Sequence, residues 1–120
     1  MFKIANNGIV TVTKGDTFRL PLFINMGNEF TPYRYELTEN DKVYVGVMEP
    51  NKSFEQAIIK KMYTKNDLNE NGDVEVKFES KDTYFLLPGT YYYEIKVEIT
   101  YQGSNHINTI VPKTKFIILE

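Results

Sequence analysis

The chain contains no cysteine, so disulfides, thiolate nucleophiles and cysteine-ligated zinc are excluded and stability has to come from packing. It has a single histidine, His106, with no second histidine to share a metal. No apolar run reaches membrane-spanning length, which argues against a membrane partner. The start, MFKIANNGIV, lacks the apolar core and small-residue cleavage site of a signal peptide. The expectation is a protein kept in the cytoplasm in which it is made, or built into an assembly there. Basic clusters are missing too: 14 basic and 16 acidic residues are interspersed to a net charge of -2. Little attracts a phosphate backbone, so nucleic acid is not an expected partner. Internal repeats, linkers, low-complexity tracts and long helical stripes are likewise absent.

What is present is alternation. At 120 residues, 42% hydrophobic and 25% charged, the chain has the size and composition of one globular domain, residues 1–120. Its organising stretch is Leu86 to Thr100, LLPGTYYYEIKVEIT. Period two puts Tyr91, Tyr93, Ile95, Val97 and Ile99 on a buried face and Tyr92, Glu94, Lys96, Glu98 and Thr100 on the other. Pro88 and Gly89 turn the chain into that strand. Before it, Phe2 and Ile4, Ile9 to Thr13, and Phe18, Leu20, Leu22 and Ile24 read as short strands separated by Asn6-Asn7-Gly8 and Lys14-Gly15-Asp16 turns. Pro21 confines its strand to an edge or a bulge. Asn25 to Asn40 reads as a long connection with one extended piece at Tyr33 to Leu37. Val43, Val45 and Val47 alternate with Tyr44, Gly46 and Met48, and a glycine there marks a bulge or a close approach by another side chain. Ala57 to Tyr63 fits either a helical stripe or a bulged strand and is read as a strand because it is short and its neighbours are β, and Asp73 to Glu79 is a further strand. Ser80 is placed to cap a single helical turn, with Leu86 and Leu87 as anchors. A hairpin loop follows at Gln102 to His106, and a last strand is broken or bulged around Pro112.

Short strands with turn signals between them and no cysteine framework predict an all-β chain, a two-sheet antiparallel immunoglobulin-like β-sandwich, with a small β-barrel as the alternative. In such sandwiches a tyrosine after the corner returns its hydroxyl to the backbone upstream. Leu86, Pro88 and Gly89 form the corner, and Tyr91 or Tyr93 is suitably placed.

Chemical sites are few. Asp67, Asn69, Asn71, Gly72 and Asp73 spell the first half of an EF-hand loop, with oxygen ligands at alternate positions. The second half fails, because Phe78 stands where a bidentate carboxylate belongs. Serines 53, 80 and 104 could be combined with His106 on paper, yet none sits in a nucleophile elbow. Glu94 and Glu98, alternating with Lys96, have the spacing of a solvent-facing strand surface. Gly15-Asp16-Thr17 lacks the Gly-Lys-Ser/Thr of a phosphate loop. No catalytic residue and no cofactor is expected. Phe30, Tyr33 and Tyr35, aromatic groups in a polar connection, and Tyr92 on the outer strand face are the candidate contact residues.

The segments VTVTKGDTFRLPLFI, DKVYVGVMEP, AIIKKMY, VEVKFESKDTYFLLPGTYYYEIKV and TKFIILE together resemble the small domains of tailed bacteriophages, in particular the N-terminal, immunoglobulin-like domain of baseplate upper proteins. The resemblance is carried by Gly15-Asp16-Thr17, Asp82-Thr83, Leu86, Gly89, Tyr91 and Tyr93. It implies a non-catalytic virion structural protein of the tail, baseplate, fibre attachment or capsid decoration, assembled in the host cytoplasm. It also implies several copies or a homo-oligomer in contact with other virion structural proteins. Larger members of that family continue into fibre or receptor-binding segments, and a chain ending at Glu120 is expected to serve as an adaptor, decoration or attachment protein. A carbohydrate-binding module stacking sugars on Tyr33, Tyr35 or Tyr92 is the alternative from a different class.

Overall fold

Alternating β-branched and aromatic residues bury one side of the core strands, and two main sheets and a separate two-stranded pair result. The computed structural model describes residues 2–22, 24–26 and 33–120. The strands are β1 (Phe2–Ile4), β2 (Val10–Thr13), β3 (Phe18–Leu22), β4 (Asn25–Met26), β5 (Tyr33–Arg34), β6 (Lys42–Met48), β7 (Ile59–Tyr63), β8 (Val74–Phe78), β9 (Gly89–Tyr101) and β10 (Ser104–Leu119), and among the described residues there are one short α-helix, α1 (Ser80–Tyr84), and two 3-10 turns, Phe54–Gln56 and Lys65–Asp67. The larger sheet has six strands in the order β1-β2-β10-β9-β6-β7, and β3 pairs with β8 in a second sheet. No helix among the described residues is long and apolar enough to cross a membrane.

One feature departs from the sequence reading, and another decides against its alternative. The six-stranded sheet is mixed, because β2 runs parallel to β10 from Val10 opposite Phe116 to Thr13 opposite Leu119. An alternating pattern fixes which side chains point inward and leaves strand direction open; here the long intervening chain carries β2 back beside β10 in the same sense. Nor does the sheet close into a barrel. Among the described residues β1 and β7 each pair with one strand only. At the β7 margin side chains, not a ladder, make the link to the second layer: the Lys77 amide donates to the Tyr63 hydroxyl at 3.1 Å, and Lys61 Nζ lies 2.9 Å from Asp82 Oδ2.

The two sheets meet through aromatic rings. Phe18 of β3 stacks on Phe78 of β8 at 4.6 Å, and Phe78 lies 5.5 Å from Phe116 of β10. Phe2 stacks on the far side of Phe18 at 4.7 Å. Phe18, Phe78 and Phe116 are buried, and a ring buried in this way contributes about 1.5–3 kcal/mol. Around them pack Val43, Val45 and Val47 of β6 with Tyr93, Ile95 and Val97 of β9. Pro21 is tolerated because β3 pairs only with β8 among the described residues, so its missing donor breaks no inner ladder.

Smaller corrections have local causes. The helix cap is Glu79, one residue ahead of Ser80, because the Asp82 carboxylate accepts from the Glu79 amide at 2.7 Å. Leu87 points outward instead of anchoring the turn. The hairpin turn is only Gln102-Gly103, with φ of 51° and 78°, so Ser104 to His106 belong to β10. The Asn25 to Asn40 connection contains a hairpin, Asn25 pairing with Arg34 and Met26 with Tyr33, instead of one extended piece.

The end of that connection is held by Asp41, which is fully buried. Its carboxylate accepts from the Tyr35 hydroxyl at 2.6 Å, the Thr38 amide at 2.8 Å and the Thr100 amide at 3.3 Å. Burial opposes ionisation, but the bonds from Thr38, Tyr35 and Thr100 outweigh it and hold the pKa below its ordinary value of 3.8. A carboxylate with a lowered folded-state pKa takes up a proton on unfolding at acid pH. Its contribution is therefore complete above the ordinary carboxylate range and is lost as pH falls through the folded pKa. Asp41→Asn is expected to cost about 1–3 kcal/mol at neutral pH. In urea denaturation the difference from the native protein should shrink as pH drops below about 4.

Candidate contact surface

Of the four calcium candidates, Asp67, Asn69, Asn71 and Asp73, the side chains of Asp67 and Asn69 bond to nearby backbone amides and that of Asp73 bonds to Arg34. Asn69 Oδ1 accepts from the Asn71 amide at 2.9 Å and the Asp73 amide at 3.0 Å. The Asp67 carboxylate accepts from the Thr64 amide at 2.8 Å. Asp73 is ion-paired with Arg34, whose guanidinium also donates to the Asn71 carbonyl at 3.2 Å. The Arg34 guanidinium thus lies directly against the Asp73 carboxylate. Among the described residues no three His, Cys, Asp or Glu side chains gather as metal ligands. His106 is exposed on β10, opposite Ile99. Ser53 sits in the turn held by Gln56, Ser80 opens α1, and Ser104 shares a strand with His106.

Among the contact aromatics, Phe30 lies outside the described residues. Only the backbone of Tyr33 is described, in β5 opposite Met26. Tyr35 is half-buried with its hydroxyl committed to Asp41, so it braces the connection. Tyr92 is half-buried on the outer face of β9, between Met48 and Lys115.

The corner residues do come together. Tyr91 returns its hydroxyl to the Leu87 carbonyl at 2.7 Å, and Tyr93 reaches across to the Gly8 carbonyl at 2.5 Å. Burial raises the pKa of both phenols; for Tyr91 the Glu49 charge adds to this and the bond to Leu87 opposes it. The Gly15 amide donates to Thr83 Oγ1 at 2.9 Å, and Thr83 is fully buried. The Gly15 turn, the Asp82-Thr83 helix and the Leu86 to Gly89 corner therefore form one braced end of the molecule.

That end carries the most exposed apolar group of the described residues. Phe85 is 84% exposed, Leu87 78% and Tyr84 58%, and the Tyr84 and Phe85 rings meet edge-on at 5.1 Å. Leu86, between them, turns inward onto the core. Sequence reading missed this surface by treating both leucines as anchors. The signal was in the run Tyr84-Phe85-Leu86-Leu87, which holds more apolar residues than one helical turn can bury.

A concave feature lies on the outer face of the six-stranded sheet. Phe54 lies over Gly46, where an added Cβ would stand 2.8 Å from Phe54 Cε2 and 3.2 Å from Ala57 Cβ. Two shallow clefts of about 240 and 250 Å³ share Tyr44, Phe54 and Glu55. Tyr44 donates to Glu98 Oε1 at 2.9 Å, and Lys96 Nζ sits 5.0 Å from the centre of the Phe54 ring. Burial and the neighbouring Glu98 carboxylate raise the Tyr44 pKa. Gly46→Ala is expected to destabilise by about 1–3 kcal/mol through overpacking. Repeating it in a Phe54→Ala background should remove most of that cost in a thermal-unfolding cycle.

No family model, no curated protein and no solved structure matches the chain.

Proposed function

We propose that this chain is a non-catalytic structural protein of a tailed-bacteriophage virion, placed on the tail, the baseplate or the capsid, and that it works by binding other virion proteins. The observation that carries this reading is the braced apolar end. Phe85 and Leu87 are displayed on a turn whose backbone is fixed by the Thr83 and Tyr91 bonds. Rigid aromatic and aliphatic groups on a preorganised support make good protein anchors, since little side-chain order is lost on binding. The residues that carry the phage resemblance, Gly15, Asp82-Thr83, Leu86, Gly89 and Tyr91, surround that end.

The strand order supports the immunoglobulin-like form of the fold. Read in chain order, β2, β3, β6, β7, β8, β9 and β10 take the places of strands A, B, C, C′, E, F and G. The order β10-β9-β6-β7 is then G-F-C-C′, the sheet of a variable-type domain, and β3-β8 is the B-E pair. Tyr91, bonded to Leu87 across the corner at the start of β9, stands where such a fold places its corner tyrosine.

A carbohydrate-binding role is the second reading. What favours it is the cleft beside Tyr44 and Phe54, where aromatic rings lie next to the charged groups of Lys96 and Glu98. One experiment separates the two readings. The purified protein is co-sedimented with tail and capsid components, alongside a variant carrying Phe85→Asp and Leu87→Asp. The expected outcome is a stable complex that the variant loses by about 30-fold in affinity, the worth of about 2 kcal/mol of anchor contacts. Both substitutions lie at exposed sites, so the melting temperature should hold. Retardation on polysaccharide without binding to any virion component would overturn the structural reading.

A further inference from the structure

β10 pairs with β9 from Ser104 to Ile118, but with β2 only from Phe116 to Leu119. Ahead of Phe116, its second edge carries no strand among the described residues. Ser104 to Thr109 are all exposed.

The turn decides which backbone groups occupy that edge. A two-residue turn with both central residues at positive φ closes on a pair that exchanges both backbone bonds, here Tyr101 and Ser104. Alternation then turns the N–H and C=O of Ser104, His106 and Asn108 toward β9, and those of Asn105, Ile107 and Thr109 outward. Thr100 agrees with this phase. Its register partner is Asn105, and its own amide points away from β10 to Asp41.

Other strand margins carry the residues that discourage pairing. β7 has Lys60 and Lys61, β3 has Arg19 and Pro21, β8 has Lys77, and β1 is three residues long with Lys3 at its centre. The open run of β10, Ser104-Asn105-His106-Ile107-Asn108-Thr109-Ile110-Val111, has no Lys, Arg, Asp, Glu or Pro before Pro112. The first cation after it, Lys113, is tethered by its Nζ to the Lys52 carbonyl at 2.8 Å. In the middle of this unprotected run Ile107 is 63% exposed.

We propose that two copies of this chain pair antiparallel through the open edge of β10, about a two-fold axis at Ile107, to make one sheet that runs through both molecules. The occupant is a second copy because the edge is complementary to itself. With Ile107 opposite Ile107 of the second copy, Asn105 faces Thr109 and Thr109 faces Asn105. Every outward N–H and C=O of the three residues then finds a partner, whereas a register shifted by two leaves one residue of each strand unmatched. No like charges are brought together along the pairing, and the two exposed isoleucines cover each other on the outer face. The pairing stands apart from the virion reading and from the braced apolar end, and it holds or fails without them.

The test combines solution mass with amide hydrogen exchange on the intact chain, over a dilution series from about 500 to about 1 μM. The native protein is expected to pass from dimer to monomer on dilution. In the dimer the amides of Asn105, Ile107 and Thr109 should exchange at least about tenfold more slowly than in the monomer, while His106 and Asn108, already bonded to β9, stay unchanged. Ile107→Lys should be monomeric throughout, and Met62→Lys, which adds the same charge at an exposed site on β7, should still dimerise. The dilution series needs no variant to fold. A native monomer at every concentration, a dimer that survives Ile107→Lys, or a dimer that leaves those three amides unprotected would each overturn the pairing.

Discussion

The contact of Phe18 and Phe78 with Phe116 is what the rest of the structure depends on. β3 and β8 form a sheet of only two strands, and an isolated pair is marginal in water. It persists because Phe18 and Phe78 stack as a unit and lay that unit against Phe116 of the larger sheet, with Phe2 closing the far side. Phe116 in turn sits in β10 beside Tyr93, whose ring meets it edge-on at 6.1 Å. The second layer, the central hairpin and the N-terminal strand are thus coupled through one set of rings. Truncation of any one ring would open a cavity shared by three elements, and such cavities cost more than the area lost.

Two strands cannot cover six. The core cluster is completed by residues outside the named strands, including Ile24, Tyr35, Leu37 and Leu68. Loops can lie over a core only if their polar groups are answered. Asp41 does this for the connection that carries Tyr35 and Leu37, and Tyr93 does it for the Gly8 carbonyl at the β1–β2 turn. Asp41 and Tyr93 thus each stand where a non-repetitive segment meets the core.

These two kinds of interaction were not equally legible. Periodicity of two identified the inward rows of β3, β6, β8 and β9, and it did so because a half-buried strand leaves its pattern in consecutive residues. Gly46 was legible as a close approach, which Phe54 makes. The Asn-Gly and Pro-Gly turns were legible from their demand for particular φ values. What escaped was whatever depends on residues far apart in the chain: the parallel run of β2 along β10, the pairing of β4 with β5, and the ion pair of Arg34 with Asp73 beside the calcium-like sequence. Leu86 and Leu87 show the limit most clearly. Both are apolar neighbours on one turn, yet one packs inward and the other is exposed, and composition alone cannot assign the two directions.

The regions beyond the core then acquire a distinct meaning. β6 stops at Lys42, opposite Glu98, but β9 and β10 continue to the Gln102-Gly103 turn. Of the described elements only this hairpin is long enough, at about 3.3 Å per residue, to account for the molecule's 45 Å length. Ordering those outer residues costs about 1–2 kcal/mol of backbone entropy each, and the exposed side chains from Ser104 to Thr109 recover little of it from the core. The Phe85 and Leu87 turn has the same character, being rigidly braced while its largest side chains face solvent. Order that the core does not require, combined with apolar groups that it does not bury, sets the hairpin tip and the Phe85 and Leu87 turn apart from the parts of this fold that packing alone explains.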